Sequence, residues 1–282
     1  MSHSTLVSAD TLAARIGDPD LLIIDCRADL ADPARARALH AEAHVPGAVH
    51  ADLERDLADL SRPGLGRHPM PDAAAFAATL SRWGWRPGMN VVAYDDAQGA
   101  LAAARLWWML RLVGASDVAV LDGGLAAWRA AGHALEAGVV ERAGSKVAVD
   151  YDGSALVDYA GLEAGLAAGS LLLVDARAEA RYRGEVEPID RVAGHVPGAL
   201  NRPFTLNLDG AGRFKHADAL RAEFAALIGG RDPRSVVHMC GSGVTACHNL
   251  LAMEHAGLAG SRLFAPSWSG WIGDPARPVA CG

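Results

Sequence analysis

The sequence predicts an α/β protein of two tandem domains, each a mainly parallel sheet flanked by helices. The first observation is an internal repeat, in which LLIIDCRAD (21–29) returns as LLLVDARAE (171–179) and HVPGAV (44–49) returns as HVPGAL (195–200). The second is that short apolar runs alternate with helical patterns in both halves. Parallel strands that helices cover on both faces appear as continuous apolar runs. Both halves therefore follow one α/β plan.

The strands and helices alternate in the same order in the two halves. In the first half the strand runs are LLIID, VVAYD and VAVLD, and the patterns AAAFAATLSRWG and ALAAARLWWMLRLVG between them are helical. In the second half VVHMCGSGV (236–244) parallels VVAYDDAQG (91–99). Further on, LFAPSWSGW (263–271) parallels VLDGGLAAW (120–128). The order is preserved and only the loop lengths differ.

The period of the repeat defines the expected domains. Two copies separated by about 150 residues indicate a duplicated domain rather than a solenoid. A chain of 282 residues is long enough to bury two cores. We expect the first domain at residues 1–138 and the second at 156–282. The connection at 139–155 has weak helical periodicity.

Charge and composition argue against several classes of partner. A formal net charge of -7 disfavours nucleic acid and anionic membranes. The N-terminal residues lack the pattern of a secretory signal, and no apolar run is long enough to span a bilayer. Four cysteines without secretory signals fit a reducing cytosol better than a disulfide framework. We expect a cytoplasmic protein with no nucleic-acid or membrane partner.

Cys240 is the candidate nucleophile. It follows the end of a predicted strand, and a GSGV loop separates it from a helix that Thr245 opens. Ligand sites of open α/β sheets lie at such strand ends, and a helix N-terminus favours a thiolate. Gly241 and Gly243 let the loop curl so that backbone N–H groups point at an anionic sulfur. The equivalent residue of the first half is Asp95, so only the second half has a nucleophile here.

Other interpretations of this cysteine are weaker. A buried structural cysteine does not need two glycines and a helix start beside it. A cysteine phosphatase needs an arginine at the sixth position after the cysteine to hold phosphoryl oxygens, and that position is Ala246. Cys240, Cys247 and His248 have no partner pair at zinc-ligand spacing. We expect neither a metal nor an organic cofactor.

These motifs resemble the rhodanese superfamily, specifically its tandem-domain sulfurtransferases. The resemblance covers nearly the whole chain and rests on HVPGA in both halves, LWWMLRLVGASDVAVLDGGLAAW in the first, and CGSGVTAC with SWSGW in the second. It implies two rhodanese-like domains, the second of which carries the nucleophile. Members acting on 3-mercaptopyruvate typically carry CGSGVT, and members acting on thiosulfate carry basic residues in this loop. A loop without cations should bind a compact dianion less well.

The resemblance also implies a mechanism. The thiolate of Cys240 attacks the sulfur of 3-mercaptopyruvate, pyruvate leaves, and the resulting persulfide passes its outer sulfur to cyanide or a thiol. Backbone N–H groups of the loop would stabilise the persulfide anion, as an oxyanion hole stabilises oxygen. The loop residues expected to contribute are Gly241, Gly243, Val244 and Thr245.

Two further side chains are implied for proton transfer. Ser242 would hydrogen-bond the substrate or help to deliver the proton that the pyruvate enolate needs. In the family this serine acts with a histidine of the first HVPGA-type turn, which is His44 here. Because His195 repeats that histidine in the second half, a structural role in the turn is an equal alternative for His44.

The substrate carboxylate requires a cation. Arg181 occupies the position that the family uses against substrate or persulfide. The family often has an arginine directly after EP, but here that residue is Ile189, and Arg191 is the candidate to replace it. Arg183 is interpreted as a solvated surface residue.

Other functions and acceptors stay open at this stage. One alternative is a thiosulfate:cyanide sulfurtransferase (rhodanese), and another is a non-catalytic persulfide carrier that docks on a second sulfur-transfer protein. The acceptor of the sulfur is thioredoxin, glutathione, cyanide or another protein. The donor is a small molecule in each of the enzymatic alternatives.

Overall fold

The computed structural model describes residues 5–29 and 32–282, which form two compact units. The first unit comprises the described residues up to Asp59, Met70–Asp152 and Ala211–Arg213. The second unit comprises Leu60–Pro69, Gly153–Gly210 and Phe214–Gly282. The division after Asp152 lies inside the stretch predicted to connect the domains. The sequence analysis did not foresee that Leu60–Pro69 belongs to the second unit.

The first unit is built on a parallel sheet. Its strands are β1 (Leu6–Val7), β2 (Leu21–Asp25), β3 (Val49–His50), β4 (Asn90–Tyr94) and β5 (Val118–Leu121). Its helices are α1 (Ala9–Ala13), α2 (Pro33–Glu42), α3 (Ala73–Arg82), α4 (Ala103–Leu112) and α5 (Gly124–Ala130). Among the described residues the strand order is β1-β5-β4-β2-β3, with all pairs parallel. Strand β2 is buried at every position, which explains its continuous apolar run.

The second unit repeats this plan with a smaller sheet. Its strands are β6 (Leu172–Asp175), β7 (Leu200–Asn201), β8 (Val236–Met239) and β9 (Arg262–Leu263). Its helices are α6 (Tyr159–Ala167), α7 (Glu179–Tyr182), α8 (Ala217–Ile228), α9 (Ala246–His255) and α10 (Ser267–Trp271). Short 3-10 turns lie at Gly153–Ala155, Phe204–Asn207 and Pro233–Ser235. In the described part of this unit the strand order is β7-β6-β8-β9, again parallel.

An Asp-X-Arg motif at one strand end fastens the same turn in both units. Asp25 ends β2, and Arg27 Nη2 lies 2.6 Å from its carboxylate and 2.7 Å from the Ala43 carbonyl oxygen. Asp175 ends β6, and Arg177 makes the corresponding contact at 2.6 Å. Arg177 also donates to the carbonyl oxygen that precedes the second HVPG turn, at 2.7 Å. These ion pairs are buried and hydrogen-bonded on several sides, as buried charges must be.

Each unit has its own apolar core beneath its sheet. The core of the first unit includes Leu12, Ile23, Tyr94 and Trp128, and that of the second includes Leu162, Phe264, Trp268 and Trp271. The predicted fold class, two α/β domains with parallel sheets and flanking helices, is confirmed. Among the described residues, no helix is both long and apolar enough to cross a bilayer.

Candidate active site

Cys240 follows the carboxyl end of β8, one of the two inner strands of the second unit's sheet. Strand β8 ends at Met239, and helix α9 begins at Ala246, with Thr245 before its first residue. The side chain is 1% exposed. The strand, loop and helix predicted around this cysteine are all present, and the carboxyl ends of parallel strands are where α/β sheets bind ligands.

The loop after Cys240 curls so that a backbone amide meets the sulfur. Gly243 N donates to Cys240 Sγ over 3.2 Å. The φ of Gly243 is +78°, and a Cβ at this residue would overlap the carbonyl oxygen of Ala265. Glycine is therefore required here for both its backbone conformation and its lack of a side chain. Val244 is buried, and Thr245 is half-buried.

A serine in an unusual backbone conformation holds the backbone of Cys240 in place. Ser267 has a φ of +53°, in the left-handed region that few non-glycine residues adopt. Its Oγ accepts a hydrogen bond from Cys240 N at 3.1 Å and donates to Phe264 O at 3.1 Å. Trp268 N donates to Cys240 O at 2.9 Å. These contacts hold the strained residue in place and fix the backbone of Cys240.

Ser242, two residues after the nucleophile, is hydrogen-bonded to His68. The distance between His68 Nδ1 and Ser242 Oγ is 2.8 Å, and the two residues are 6% and 7% exposed. His68 belongs to the stretch Leu60–Pro69 of the second unit. The resemblance implied that His44 is the partner of Ser242; in the structure the histidine bonded to this serine is His68 instead.

His44 has the contacts of a turn residue. Its Nδ1 lies 2.7 Å from His40 O, and its ring stacks on that of His40 at 4.1 Å. His195 repeats this arrangement, with Nδ1 2.8 Å from Tyr182 O and a ring stacked on Tyr182 at 3.8 Å. The two histidines thus make equivalent contacts in the turns of their own units. This favours a structural role for His44 over a role in proton transfer.

Two guanidinium groups lie beside Gly241, the residue that follows Cys240. A Cβ added to Gly241 would lie 3.0 Å from Arg67 Nη2 and 3.6 Å from Arg181 Nη2. Asp190 joins the two arginines, because one of its carboxylate oxygens accepts from Arg67 Nη1 and the other accepts from Arg181 Nη2 at 3.1 Å. Glu187 accepts from Arg181 Nη2 at 2.7 Å.

Glu187 carries the negative charge that an ion pair with Arg181 requires. Burial alone would raise its pKa, but hydrogen bonds from Arg181 and from the backbone amides of Asp190 and Ile189 together lower the pKa below its usual range. Glu187 is therefore an anion that holds Arg181 through its Nε and Nη2 atoms.

The other predicted cation lies elsewhere. Arg191 is exposed, and its Nη2 donates to the backbone carbonyl oxygen of Ile272. Arg183 pairs with Glu179 over 2.6 Å at the surface, as expected for a solvated residue. Arg181 is beside the cysteine loop as predicted from the motif, while the second guanidinium there is that of Arg67, for which no motif gave a signal.

The first unit has a carboxylate where the second has the thiol. The side chain of Asp95 is fully buried and follows β4 as Cys240 follows β8. One carboxylate oxygen accepts from the backbone amides of Ala97 and Gly99, at 2.9 and 2.7 Å. The other accepts from the amides of Leu101, Ala102 and Ala103, each at 3.2 Å. The loop of the first unit therefore encloses the carboxyl group of Asp95 and presents no thiol at this position.

No group of three or more metal-ligating side chains occurs within residues 5–29 and 32–282. What the second unit assembles is a buried thiol with an amide donor, a serine–histidine pair and two guanidinium groups. This set of groups is suited to nucleophilic attack on a small anion.

Comparison with known proteins agrees with these features. The model of the rhodanese-like domain family matches residues 8–131 and 158–274. A probable 3-mercaptopyruvate sulfurtransferase of Pseudomonas aeruginosa is 52% identical over 284 aligned residues, covering 100% of both chains. A putative thiosulfate sulfurtransferase of Mycobacterium tuberculosis is 42% identical, covering 98% of this chain and 97% of its own. The structure of 3-mercaptopyruvate sulfurtransferase from Leishmania major superimposes with a TM-score of 0.86 at 29% identity, covering 99% of this chain and 76% of that one.

Proposed function

The chain belongs to the rhodanese-like family through both of its domains, and we propose that it is a 3-mercaptopyruvate sulfurtransferase with Cys240 as the nucleophile. The observation that carries the proposal is the hydrogen bond from Gly243 N to Cys240 Sγ at the end of β8. An amide aimed at sulfur favours the anionic form, both of the attacking thiolate and of the persulfide that replaces it.

The first half-reaction transfers sulfur from the donor to the enzyme. The thiolate of Cys240 attacks the sulfur of 3-mercaptopyruvate, an S–S bond forms, and the C–S bond of the donor breaks. The bonding pair of electrons stays on carbon, so pyruvate leaves as its enolate, and Cys240 carries a persulfide. No electrons are gained or lost overall, and the enolate needs one proton to become pyruvate.

The Ser242–His68 pair is positioned to manage that proton. A hydroxyl and an imidazole that share a 2.8 Å hydrogen bond can pass a proton to a carbanion. Ser242 belongs to the same loop as Gly243, whose amide contacts the attacking sulfur. In this assignment His68 has the role that the sequence analysis gave to His44.

The second half-reaction returns the thiolate. A thiol or cyanide attacks the outer sulfur of the persulfide, and Cys240 leaves as the anion that Gly243 N stabilises. Glutathione and thioredoxin are the thiol acceptors to test first, and a thiolate enzyme of this kind fits a reducing cytoplasm.

A second candidate donor is thiosulfate. The relative named a putative thiosulfate sulfurtransferase is 42% identical, and two arginines lie beside Gly241. The loop from Gly241 to Thr245 nevertheless contains no basic side chain, and the cations beside it are paired with acids. Both features favour a monoanionic donor over a compact dianion.

The test is kcat/KM for 3-mercaptopyruvate and for thiosulfate, with cyanide as acceptor and Cys240→Ser as control. We expect a preference of at least about tenfold for 3-mercaptopyruvate, corresponding to about 1.4 kcal/mol. The serine variant should lose both half-reactions. A preference for thiosulfate would assign the protein to the rhodanese activity, and turnover by the serine variant would refute Cys240 as the nucleophile.

A further inference from the structure

We infer that Asn207 is a positioning residue for the loop that holds the sulfur of Cys240. Asn207 is the last residue of the 3-10 turn Phe204–Asn207, and its side chain is fully buried. It acts on the loop through helix α9, whose first turn it holds. The inference rests on the proposed function and deepens it, because the same loop would stabilise the persulfide of that reaction.

The side-chain amide of Asn207 makes hydrogen bonds at both ends. Its Nδ2 donates to His248 Nδ1 at 3.1 Å and to Asn249 Oδ1 at 2.6 Å. Its Oδ1 accepts from Nη2 and Nε of Arg202, at 3.2 and 3.4 Å. His248 and Asn249 are fully buried, and Arg202 is 7% exposed. Both N–H groups and both lone pairs of this amide therefore have partners, as burial requires.

Arg202 fixes the direction of these hydrogen bonds. Its guanidinium group is only a donor, so it must face the oxygen of the Asn207 amide. Its backbone carbonyl is only an acceptor, and it accepts from Asn249 Nδ2 at 2.9 Å. Asn249 therefore presents its Oδ1 to Asn207, and the Nδ2 of Asn207 donates to His248 Nδ1. Because that ring nitrogen accepts, neutral His248 carries its proton on Nε2.

The network is anchored outside helix α9. Arg202 Nη2 lies 2.6 Å from a carboxylate oxygen of Glu223, and the Arg202 guanidinium carbon lies 4.6 Å from the centre of the Phe224 ring. Both partners belong to α8. The ring of His248 stacks on that of Phe214 at a centroid distance of 4.4 Å. The first turn of α9 is thus fastened to α8 and to the residues that follow β7.

The same turn of α9 is hydrogen-bonded to the loop after Cys240. Cys247 directly precedes His248 on the helix. Its N donates to Val244 O at 3.1 Å, and its Sγ donates to Gly243 O at 3.4 Å. Gly243 is the residue whose amide donates to Cys240 Sγ at 3.2 Å. A displacement of α9 therefore displaces the amide that stabilises the sulfur anion.

The polar character of the network points to positioning more than to stability. Replacing both partners of a buried hydrogen bond by apolar groups of the same shape is often nearly neutral for stability. Stability alone therefore does not require buried polar side chains at 202, 207, 248 and 249. Hydrogen bonds weaken steeply with distance and angle, so a closed set of them fixes one position of the helix. An amide aimed at a sulfur anion needs that precision.

The experiment measures the rate at which iodoacetamide alkylates Cys240 as a function of pH. Alkylation needs no sulfur donor, and its rate follows the fraction of thiolate. All the proteins compared carry Cys281→Ser, because Cys281 is exposed while the other three cysteines are buried. Mass spectrometry identifies the alkylated cysteine.

Asn201→Ala is the matched control for Asn207→Ala. Asn201 Nδ2 also donates two hydrogen bonds, to Asp175 O at 3.0 Å and to Arg177 O at 2.9 Å. These bonds fasten β7 to the end of β6 instead of holding α9. Urea denaturation gives the free energy of unfolding that each variant loses.

In Asn207→Ala the midpoint of the alkylation profile should rise by about one pH unit, because the Gly243 amide moves away from the sulfur. Below the midpoint this corresponds to an alkylation rate about tenfold lower, and well above it the rate should stay within about twofold of the wild type. In Asn201→Ala the profile should be unchanged even where the loss of stability is equal. An unchanged midpoint in Asn207→Ala, or equal shifts in the two variants at equal loss of stability, would overturn the inference.

Two variants of His248 test the same hydrogen bond from the other side. His248→Asn keeps an acceptor near the place of Nδ1, whereas His248→Leu keeps apolar bulk against Phe214 but has no acceptor. His248→Asn should keep the wild-type midpoint within about 0.3 pH unit, and His248→Leu should shift it as Asn207→Ala does. Equal midpoints in the two variants would refute the role of this hydrogen bond, even if Asn207→Ala does not fold.

Steady-state kinetics keep this inference distinct from the proposed function. With 3-mercaptopyruvate, Asn207→Ala should lower kcat about tenfold and leave KM within about twofold, because the loop is displaced but no donor contact is removed. A raised KM with unchanged kcat would contradict the positioning role. A shifted alkylation profile in a protein whose wild type does not turn over 3-mercaptopyruvate would keep the positioning role and refute the proposed donor. An unchanged profile refutes the positioning role even if turnover is rapid.

Discussion

Replacing Gly243 by alanine tests the amide cradle of Cys240. The left-handed backbone at this position costs a non-glycine residue about 1–2 kcal/mol. In addition, the new methyl group would overlap the backbone oxygen of Ala265, which cannot rotate away as a side chain could. Relieving an overlap of this kind costs on the order of 1–3 kcal/mol. We expect a total loss of about 2–5 kcal/mol in the free energy of unfolding of the second unit.

The control for this variant is Gly229→Ala. Gly229 follows helix α8 with a φ of +60°, and a Cβ there would meet no atom within 4 Å. It therefore isolates the backbone cost of about 1 kcal/mol from the overlap. Urea denaturation of both variants gives the difference directly.

Activity gives a second, independent measure of the same substitution. A shift of the loop should remove the hydrogen bond from Gly243 N to Cys240 Sγ. A hydrogen bond to a charged group contributes about 1.5–3 kcal/mol, so the rates of alkylation by iodoacetamide and of persulfide formation should fall at least about tenfold. Two results together would show that the cradle of Cys240 does not depend on Gly243. One is an equal loss in the free energy of unfolding for Gly243→Ala and Gly229→Ala, and the other is alkylation of Cys240 in Gly243→Ala at the wild-type rate.

Two other predictions concern histidines of the second unit. His68→Asn and Ser242→Ala should each lower kcat by about 10²-fold or more. The double variant should lose no more activity than either single variant, because the two side chains act as one unit. If steady-state kinetics showed that the loss in the double variant is the product of the two single losses, the pairing would be contradicted. Burial lowers the pKa of His238 to about 3, against 6.5 when unfolded, so the unfolded state binds the extra proton between these values. The contribution of His238 to the free energy of unfolding is therefore fully present above pH 6.5 and is lost as pH falls toward 3. The loss is at most about 1.4 kcal/mol per pH unit. Urea denaturation between pH 7 and 4 should show a shallower loss in His238→Gln than in the wild type, and equal slopes would refute the assignment.

The secondary structure around Cys240 lies where the sequence predicts it. The strand end, the glycines and the helix start around Cys240 occupy one short stretch, and each has a local signal: an apolar run, a residue that tolerates positive φ, and a helical period. The absence of a thiol at Asp95 likewise required only the comparison of the two halves. Gly243, with its positive φ and its amide on Cys240 Sγ, has the geometry that a curled loop requires.

His44 shows where a repeat misleads. The HVPG turn is present in both halves because both units fasten it with the same Asp-X-Arg ion pair. A motif kept in the half without the nucleophile has a structural role there. His44 and His195 accordingly make the same kind of contact, from Nδ1 to a backbone carbonyl oxygen of their own unit.

No local sequence pattern marks His68 or Arg67 as part of the site. Their positions depend on where the segment Leu60–Pro69 packs. His68 and Ser242 are separated by 174 residues in the chain, and their 2.8 Å contact depends on Leu60–Pro69 belonging to the second unit. Local hydrophobic periodicity predicts which residues form a strand or a helix. Which distant residues a loop contacts depends on tertiary packing and on the need of buried charges for oppositely charged partners. The strand end at Cys240, the glycine loop and the start of the next helix could thus be predicted from neighbouring residues alone. The contact of His68 with Ser242, and that of Arg67 with Asp190, could be found only from the tertiary structure, because buried anions such as Asp190 require cations from any part of the chain that reaches them.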